Sequence, residues 1–196
     1  MAMNRIGGGP GSDKLDIKAV VRDIFSIKDD IEKNGLYDQV VLDSVLNSIT
    51  SNRFEHCVLV ACNALMRPDG RFYTSTRSLQ QIESRGKLQK SLDRSRLIEF
   101  LDEDNYSATF RNGVWTMQKF HNAQTLEDLL NKYFADVRII DQKKGQLWAI
   151  CEKPKQLSLE TYREALDIEF NMEYPGGYRH GKHEGVVKAI LAHHVE

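Results

Sequence analysis

The stretch YDQVVLDSVLNSI, residues 37–49, decides how the rest of the chain is read. Val40, Val41 and Leu42 run without a break into the polar Asp43, Ser44 and Asn47. A short apolar run bounded by polar residues predicts a strand buried on both faces. In a parallel sheet, the polar residues at the C-terminal end of such a strand face the crevice where ligands bind. The plainer alternative is that Asp43 and Asn47 cap the next helix. That helix is predicted over roughly residues 52–66, where Val58, Leu59, Cys62, Leu65 and Met66 recur at helical spacing toward the sheet. Pro68-Asp69-Gly70 predicts a turn, and residues 71–75 the next strand. Together these make one βαβ unit.

The 196 residues suffice for one domain with a sizeable core. Hydrophobic content of 41% and charged content of 28% place the chain among ordinary soluble globular proteins. A formal net charge of -1 excludes a global pull toward nucleic acid or membrane. Cys57, Cys62 and Cys151 have neither metal nor disulfide spacing, which predicts a reducing, cytoplasmic setting. No apolar run approaches the ~20 residues of a membrane span, and no signal peptide is visible.

Outward from the central stretch, IGGGPG supplies Gly7, Gly8, Gly9 and Gly11. It reads either as a cofactor-cradling loop or as a flexible linker. LDIKAVVRDIF predicts a short buried strand ending near Asp23, and IKDDIEKNGL a helical turn or loop stopped by Gly35. Residues 78–103 predict a helix interrupted near Gly86. Arg77, Arg85, Lys87, Lys90, Arg94 and Arg96 make this segment basic, either as a solvated face or as a cap meeting an anionic substrate. Asn112-Gly113 predicts a hairpin with arms NYSATFR and VWTMQKF. Thr125 is the expected cap of a helix carrying Leu126, Leu129, Leu130, Tyr133 and Phe134 on one stripe. DVRIID and QLWAICE predict two antiparallel strands, with Trp115 and Trp148 expected in the core. Ser158 is the expected cap of LETYREALDIEF, and EGVVKAILAHH the last helix. Between them lies the loop YPGGYRHGKH, which would fold over the crevice as a lid. His180, His183, His193 and His194 gather in this tail with Arg179 and Lys182, but their spacings match no standard ligand pattern and no metal is expected.

Four segments, in order, resemble the C-terminal half of class I S-adenosylmethionine-dependent methyltransferases. YDQVVLDSVLNSI resembles the family's fourth motif. LMRPDGRFYTSTR is similar to its L-x-P-G-G turn and fifth strand, with Asp69 where Gly is usual. RNGVWTMQKFHNAQTLEDLLNKYF resembles the stretch before its last helix, and VRIIDQKKGQLWAIC its closing hairpin. The resemblance covers roughly Val20 to Glu152. It implies an α/β, Rossmann-like methyltransferase sandwich: a mostly parallel sheet with a C-terminal antiparallel β-hairpin. It implies S-adenosylmethionine as cofactor, with Asp23 and Ile24 beside the adenine and Asp43 and Ser44 meeting cofactor and substrate. Gly7, Gly8, Gly9 and Gly11 join them if that loop is the family's glycine loop. Asp43 and Asn47 are the candidate catalytic residues. Methyl transfer needs little beyond alignment and exclusion of water, because the sulfonium already activates the methyl group.

The upstream half departs from the family pattern. Only Met1 to Ile6 precede the glycines, and Arg5 stands near where the family has an acid. Gly11 to Tyr37 has room for about one βα unit. One N-terminal βα unit is therefore expected to be lacking: the fold is abbreviated, the chain is a fragment, or a partner chain completes it. The expected organisation is a glycine-rich segment over 1–14, a methyltransferase-like domain over 15–153 and a helical extension over 154–196. Two other functions fit the sequence. One is a non-catalytic methyltransferase-like binding or scaffolding module. The other is a nucleic-acid-binding domain using the basic segment. The methyl acceptor is not legible, a homo-oligomer is compatible with the pattern, and no membrane association is expected.

Overall fold

In a computed structural model, residues 16–81, 98–102, 106–111, 114–142, 146–174 and 176–195 are described. Gly7, Gly8, Gly9 and Gly11 lie outside these residues, as do Arg85, Lys87, Lys90, Arg94 and Arg96. The chain divides into two units. One holds the described parts of Met1–Tyr37 and Gln156–Glu196, the other Asp38–Lys155. Residues 16–36, ahead of β1, group with the C-terminal helices.

The helical unit contains α1 (Ile17–Asn34), α4 (Leu159–Phe170) and α5 (Glu184–Leu191). The strand expected to end at Asp23 is a correction: LDIKAVVRDIF forms the first half of α1. Asp16 caps it by accepting from the Ala19 N–H at 3.0 Å. Val20, Ile24 and Ile31 are buried at steps of four and seven, the helical period. The β-branched pair Val20-Val21 reads as strand only in a window too short to include Ile31. Gly35 stops the helix at φ 80°, a left-handed conformation natural to glycine. Ser158 caps α4 as expected, accepting from the Thr161 N–H at 3.1 Å.

The sheet unit contains β1 (Tyr37–Leu42), a 3-10 turn (Leu46–Ser48), α2 (Asn52–Ala64) and β2 (Met66–Arg77). Then come β3 (Ile98–Asp102), β4 (Tyr106–Arg111), β5 (Val114–Lys119), α3 (Ala123–Leu130), β6 (Phe134–Gln142) and β7 (Gln146–Pro154). The main sheet has the order β1-β2-β7-β6. β7 is antiparallel to both β2 and β6, so β2 and β6 share a direction. β1 runs with them: the Asp38 carbonyl lies beside Gly70, and the Leu42 carbonyl accepts from Thr74 Oγ1 at 2.9 Å. Three strands thus run together and one is reversed, the mostly parallel, Rossmann-like arrangement with a closing hairpin that the resemblance implied. β3, β4 and β5 form a separate antiparallel sheet.

The core of this unit lies on one face of the main sheet. Leu147, Ala149 and Cys151 on β7 are buried, while Trp148 and Ile150 between them are half-buried. Phe72 on β2 stacks on Phe134 on β6 with ring centroids 5.1 Å apart. Leu126, Leu129 and Leu130 of α3 are buried as the stripe predicted, but the helix ends at Leu130, so Tyr133 lies beyond it and Phe134 opens β6. Asn63 near the end of α2 is wholly buried and donates to the Tyr133 and Lys155 carbonyls at 2.8 and 3.2 Å, tying α2 to the ends of β6 and β7.

Five local readings are corrected. β1 forms where expected but is the edge strand of the described sheet, with Val41 62% exposed, so it is not buried on both faces. Pro68-Asp69-Gly70 is no turn, since β2 runs through it. Residues 98–102 are strand, not helix. Asn122, not Thr125, caps α3, and Thr125 completes the capping box from the third helical position. Trp115 is 48% exposed, outside the core where it was expected.

Gly70 permits the close approach of β1 to β2. A Cβ there would sit 2.8 Å from Met66 Cγ and 3.1 Å from both the Arg67 and the Asp38 carbonyl oxygens. Gly70→Val is expected to cost about 1–3 kcal/mol, the range of overpacked sites. A lowered urea midpoint at unchanged slope would show it.

Candidate functional site

β1, β2 and β7 bring four polar side chains together at the edge of the sheet where β1 and β2 end. Asp43 and Ser44 follow β1 directly. Ser75 lies two residues before the end of β2, and Gln146 opens β7 opposite Arg77. Ser44 has φ 56°, a left-handed conformation that a serine holds only when its surroundings enforce it. Here its N–H bonds both the Ser75 carbonyl at 3.2 Å and Ser75 Oγ at 3.0 Å.

Those contacts orient the Asp43 carboxylate. Asp43 Oδ1 accepts from Ser44 Oγ at 3.1 Å and from Ser75 Oγ in a short hydrogen bond. Gln146 Nε2 donates to Ser44 Oγ at 3.0 Å and to Ser75 Oγ at 2.9 Å, which directs both hydroxyl protons at Asp43. One carboxylate oxygen is thus held by the protein. The residue is otherwise exposed, so its second oxygen is available to a hydroxyl or ammonium donor.

Asn47 behaves differently. It sits in the 3-10 turn, 6% exposed, with its Oδ1 buried and without a hydrogen-bond partner. Among the described residues its Nδ2 donates to Ser48 Oγ at 3.5 Å. Neither Asp43 nor Asn47 caps α2, whose first turn is capped by Ser51. Asp23 lies within α1 and Ile24 is 1% exposed in the core of the helical unit, so neither ends a strand as expected.

A second polar group is buried between α2 and the end of β5. Glu55, Lys119 and His121 are each 5% exposed or less. Lys119 Nζ donates to Glu55 Oε2 at 2.7 Å and to Asn52 Oδ1 at 2.9 Å, and His121 Nε2 lies 3.7 Å from Glu55 Oε1. Burial alone would push the Glu55 carboxyl up. His121 and Lys119 outweigh it and hold the group below its ordinary range. The His121 backbone is fixed to the end of β2: its N–H bonds the Arg77 carbonyl at 3.1 Å, and its carbonyl accepts from Leu79 at 3.0 Å.

Ser75, Gln146, Glu55, Lys119 and His121 are absent from the sequence-derived site. Ser75 and Gln146 meet only through strand register, which no local pattern encodes. Glu55 did carry a signal. It stands four residues before Leu59 and seven before Cys62, on the apolar stripe of α2, where a carboxylate demands a partner.

No family model matches the sequence, and no curated protein matches it. Solved structures do resemble it. The PH0226 protein of Pyrococcus horikoshii is 14% identical, with a TM-score of 0.45 over 61% of this chain and 55% of that one. An S-adenosylmethionine-dependent methyltransferase from Clostridium acetobutylicum is 12% identical, with a TM-score of 0.43 over 61% and 59%. The 1,6-didemethyltoxoflavin-N1-methyltransferase of Burkholderia thailandensis, solved with 1,6-didemethyltoxoflavin and S-adenosylhomocysteine, is 18% identical, with a TM-score of 0.38 over 60% and 44%. The chain spans about half the length of these solved chains.

Proposed function

We propose that this chain contributes the fourth-motif side of an S-adenosylmethionine-dependent methyltransferase site, with Asp43 and Ser44 toward the cofactor. The observation that carries the proposal is the Asp43 carboxylate. It is fixed through one oxygen by Ser44 and Ser75 and open at the other, at the end of a strand parallel to its neighbour. That oxygen suits the hydroxyl and ammonium donors of an adenosylated amino acid. The bound cofactor would supply an electrophilic methyl group. The chain's own part is to orient the ligand and to keep Asp43 aimed, with Gln146 holding both serines in place.

A second reading has its own support. α1 occupies the residues expected to form a strand before β1, and β1 lies at the sheet edge among the described residues. That favours a non-catalytic methyltransferase-like binding or scaffolding module. Calorimetric titration of S-adenosylmethionine into the full chain separates the two. Saturable heat, weakened by Ser75→Ala, is expected for a cofactor site. Absence of heat at millimolar cofactor would leave only the binding module.

A further inference from the structure

We propose a divalent-cation site of the zinc type in the helical unit, formed by Asp167 on α4, His183 at the N-cap of α5 and Glu184 in its first turn. It is independent of the methyl-transfer reading. One ligand atom from each residue lies within 4.8 Å of the other two. His183 Nε2 and Asp167 Oδ1 are 3.4 Å apart. That is longer than an efficient hydrogen bond. It matches the separation of about 3.3–3.4 Å between two donors that each bind a tetrahedral zinc at about 2.0–2.1 Å.

The atoms themselves call for a cation. Asp167 Oδ1 and His183 Nδ1 are both buried without a hydrogen-bond partner. The His183 side chain is 12% exposed, so water does little to compensate. Nε2 of His183 and Oδ1 of Asp167 are both zinc-ligand atoms, and a metal ion between them would bond each in place of their 3.4 Å contact. Glu184 is 57% exposed at its side chain and has its Oε2 3.9 Å from Arg163 Nη1, which leaves the other oxygen to turn inward. The two carboxylates offset the positive end of the α5 dipole. His180 is a neighbour and not a ligand: its Nδ1 accepts from the Lys182 N–H at 2.9 Å, which places the proton on Nε2. Sequence spacing could not reveal the set, because Asp167 is sixteen positions from His183.

The test titrates zinc sulfate into the full chain by calorimetry and cobalt(II) as a spectroscopic probe. One equivalent is expected, with visible cobalt d–d bands and no thiolate charge-transfer band. Glu184→Gln and Asp167→Asn should each weaken zinc binding at least tenfold, and His193→Ala should leave it unchanged. Glu184 is exposed, so its variant keeps the test decisive if Asp167→Asn or His183→Ala fails to fold by circular dichroism. The proposal is overturned if the native chain shows no saturable binding, if Glu184→Gln binds as well as the native chain, or if a thiolate band moves the ion to the cysteines.

Discussion

Lys119→Met is expected to lower stability by about 3–5 kcal/mol, the usual consequence of removing one partner of a buried ion pair. Lys119 and Glu55 have side chains only 4% and 6% exposed, and their charged atoms are 2.7 Å apart. Truncating the ammonium leaves the Glu55 carboxylate in the interior, with the His121 ring nitrogen Nε2 3.7 Å away and no lysine to compensate it. Asn52 Oδ1 also loses the donor it holds at 2.9 Å. The double variant Glu55→Leu/Lys119→Met should recover most of the loss, because it leaves no uncompensated charge. Urea unfolding of the four proteins in a double-mutant cycle measures the coupling. A single variant within about 0.5 kcal/mol of the native chain, the range of ordinary surface changes, would contradict the buried pair.

The same cluster has a pH signature. Glu55 titrates below its unfolded-state value of about 4.3. Its contribution to stability is therefore complete above that value and is lost as pH falls through the lower, folded-state value. Native chain and Glu55→Gln should differ most near neutrality. Their unfolding free energies should converge as the medium is acidified below pH about 4. A gap that widened with acid would reverse the sign assigned here.

What the sequence made legible follows from how local each interaction is. β1, α2, the β4–β5 and β6–β7 hairpins and the Ser158 cap are encoded within a few residues, and each was readable. α1 was not, because its apolar positions Val20, Ile24 and Ile31 declare a helix only over three turns. β2 extends through Pro68-Asp69-Gly70 because the glycine admits the β1 backbone, a tertiary reason that overrides turn propensity. The exposed edge at Val41 depends on which strands pair, and an apolar run cannot report that. At the candidate site, Asp43 and Ser44 were found from their place after Leu42. Ser75 and Gln146, which orient them, arrive from 32 and 102 positions away in sequence.

On the proposed reading, Asp43→Asn should weaken S-adenosylmethionine binding by about 1.5–3 kcal/mol, the range for a hydrogen bond to a charged group, or roughly ten- to a hundredfold. The substitution is chosen for what it keeps. An asparagine retains an acceptor at the Oδ1 position, so Ser44 and Ser75 can still donate and the left-handed turn at Ser44 keeps its two bonds to Ser75. It changes the other end of the side chain, where an amide NH2 replaces the open carboxylate oxygen and meets a ligand donor with a donor. Affinity should fall while the urea midpoint stays within the small range of exposed substitutions, since Asp43 is exposed and its internal contacts survive. Calorimetry and urea unfolding on the same preparation read both quantities. Equal loss of stability and binding would mark Asp43 as a brace for the β1–β2 edge; unchanged binding would remove it from the cofactor site.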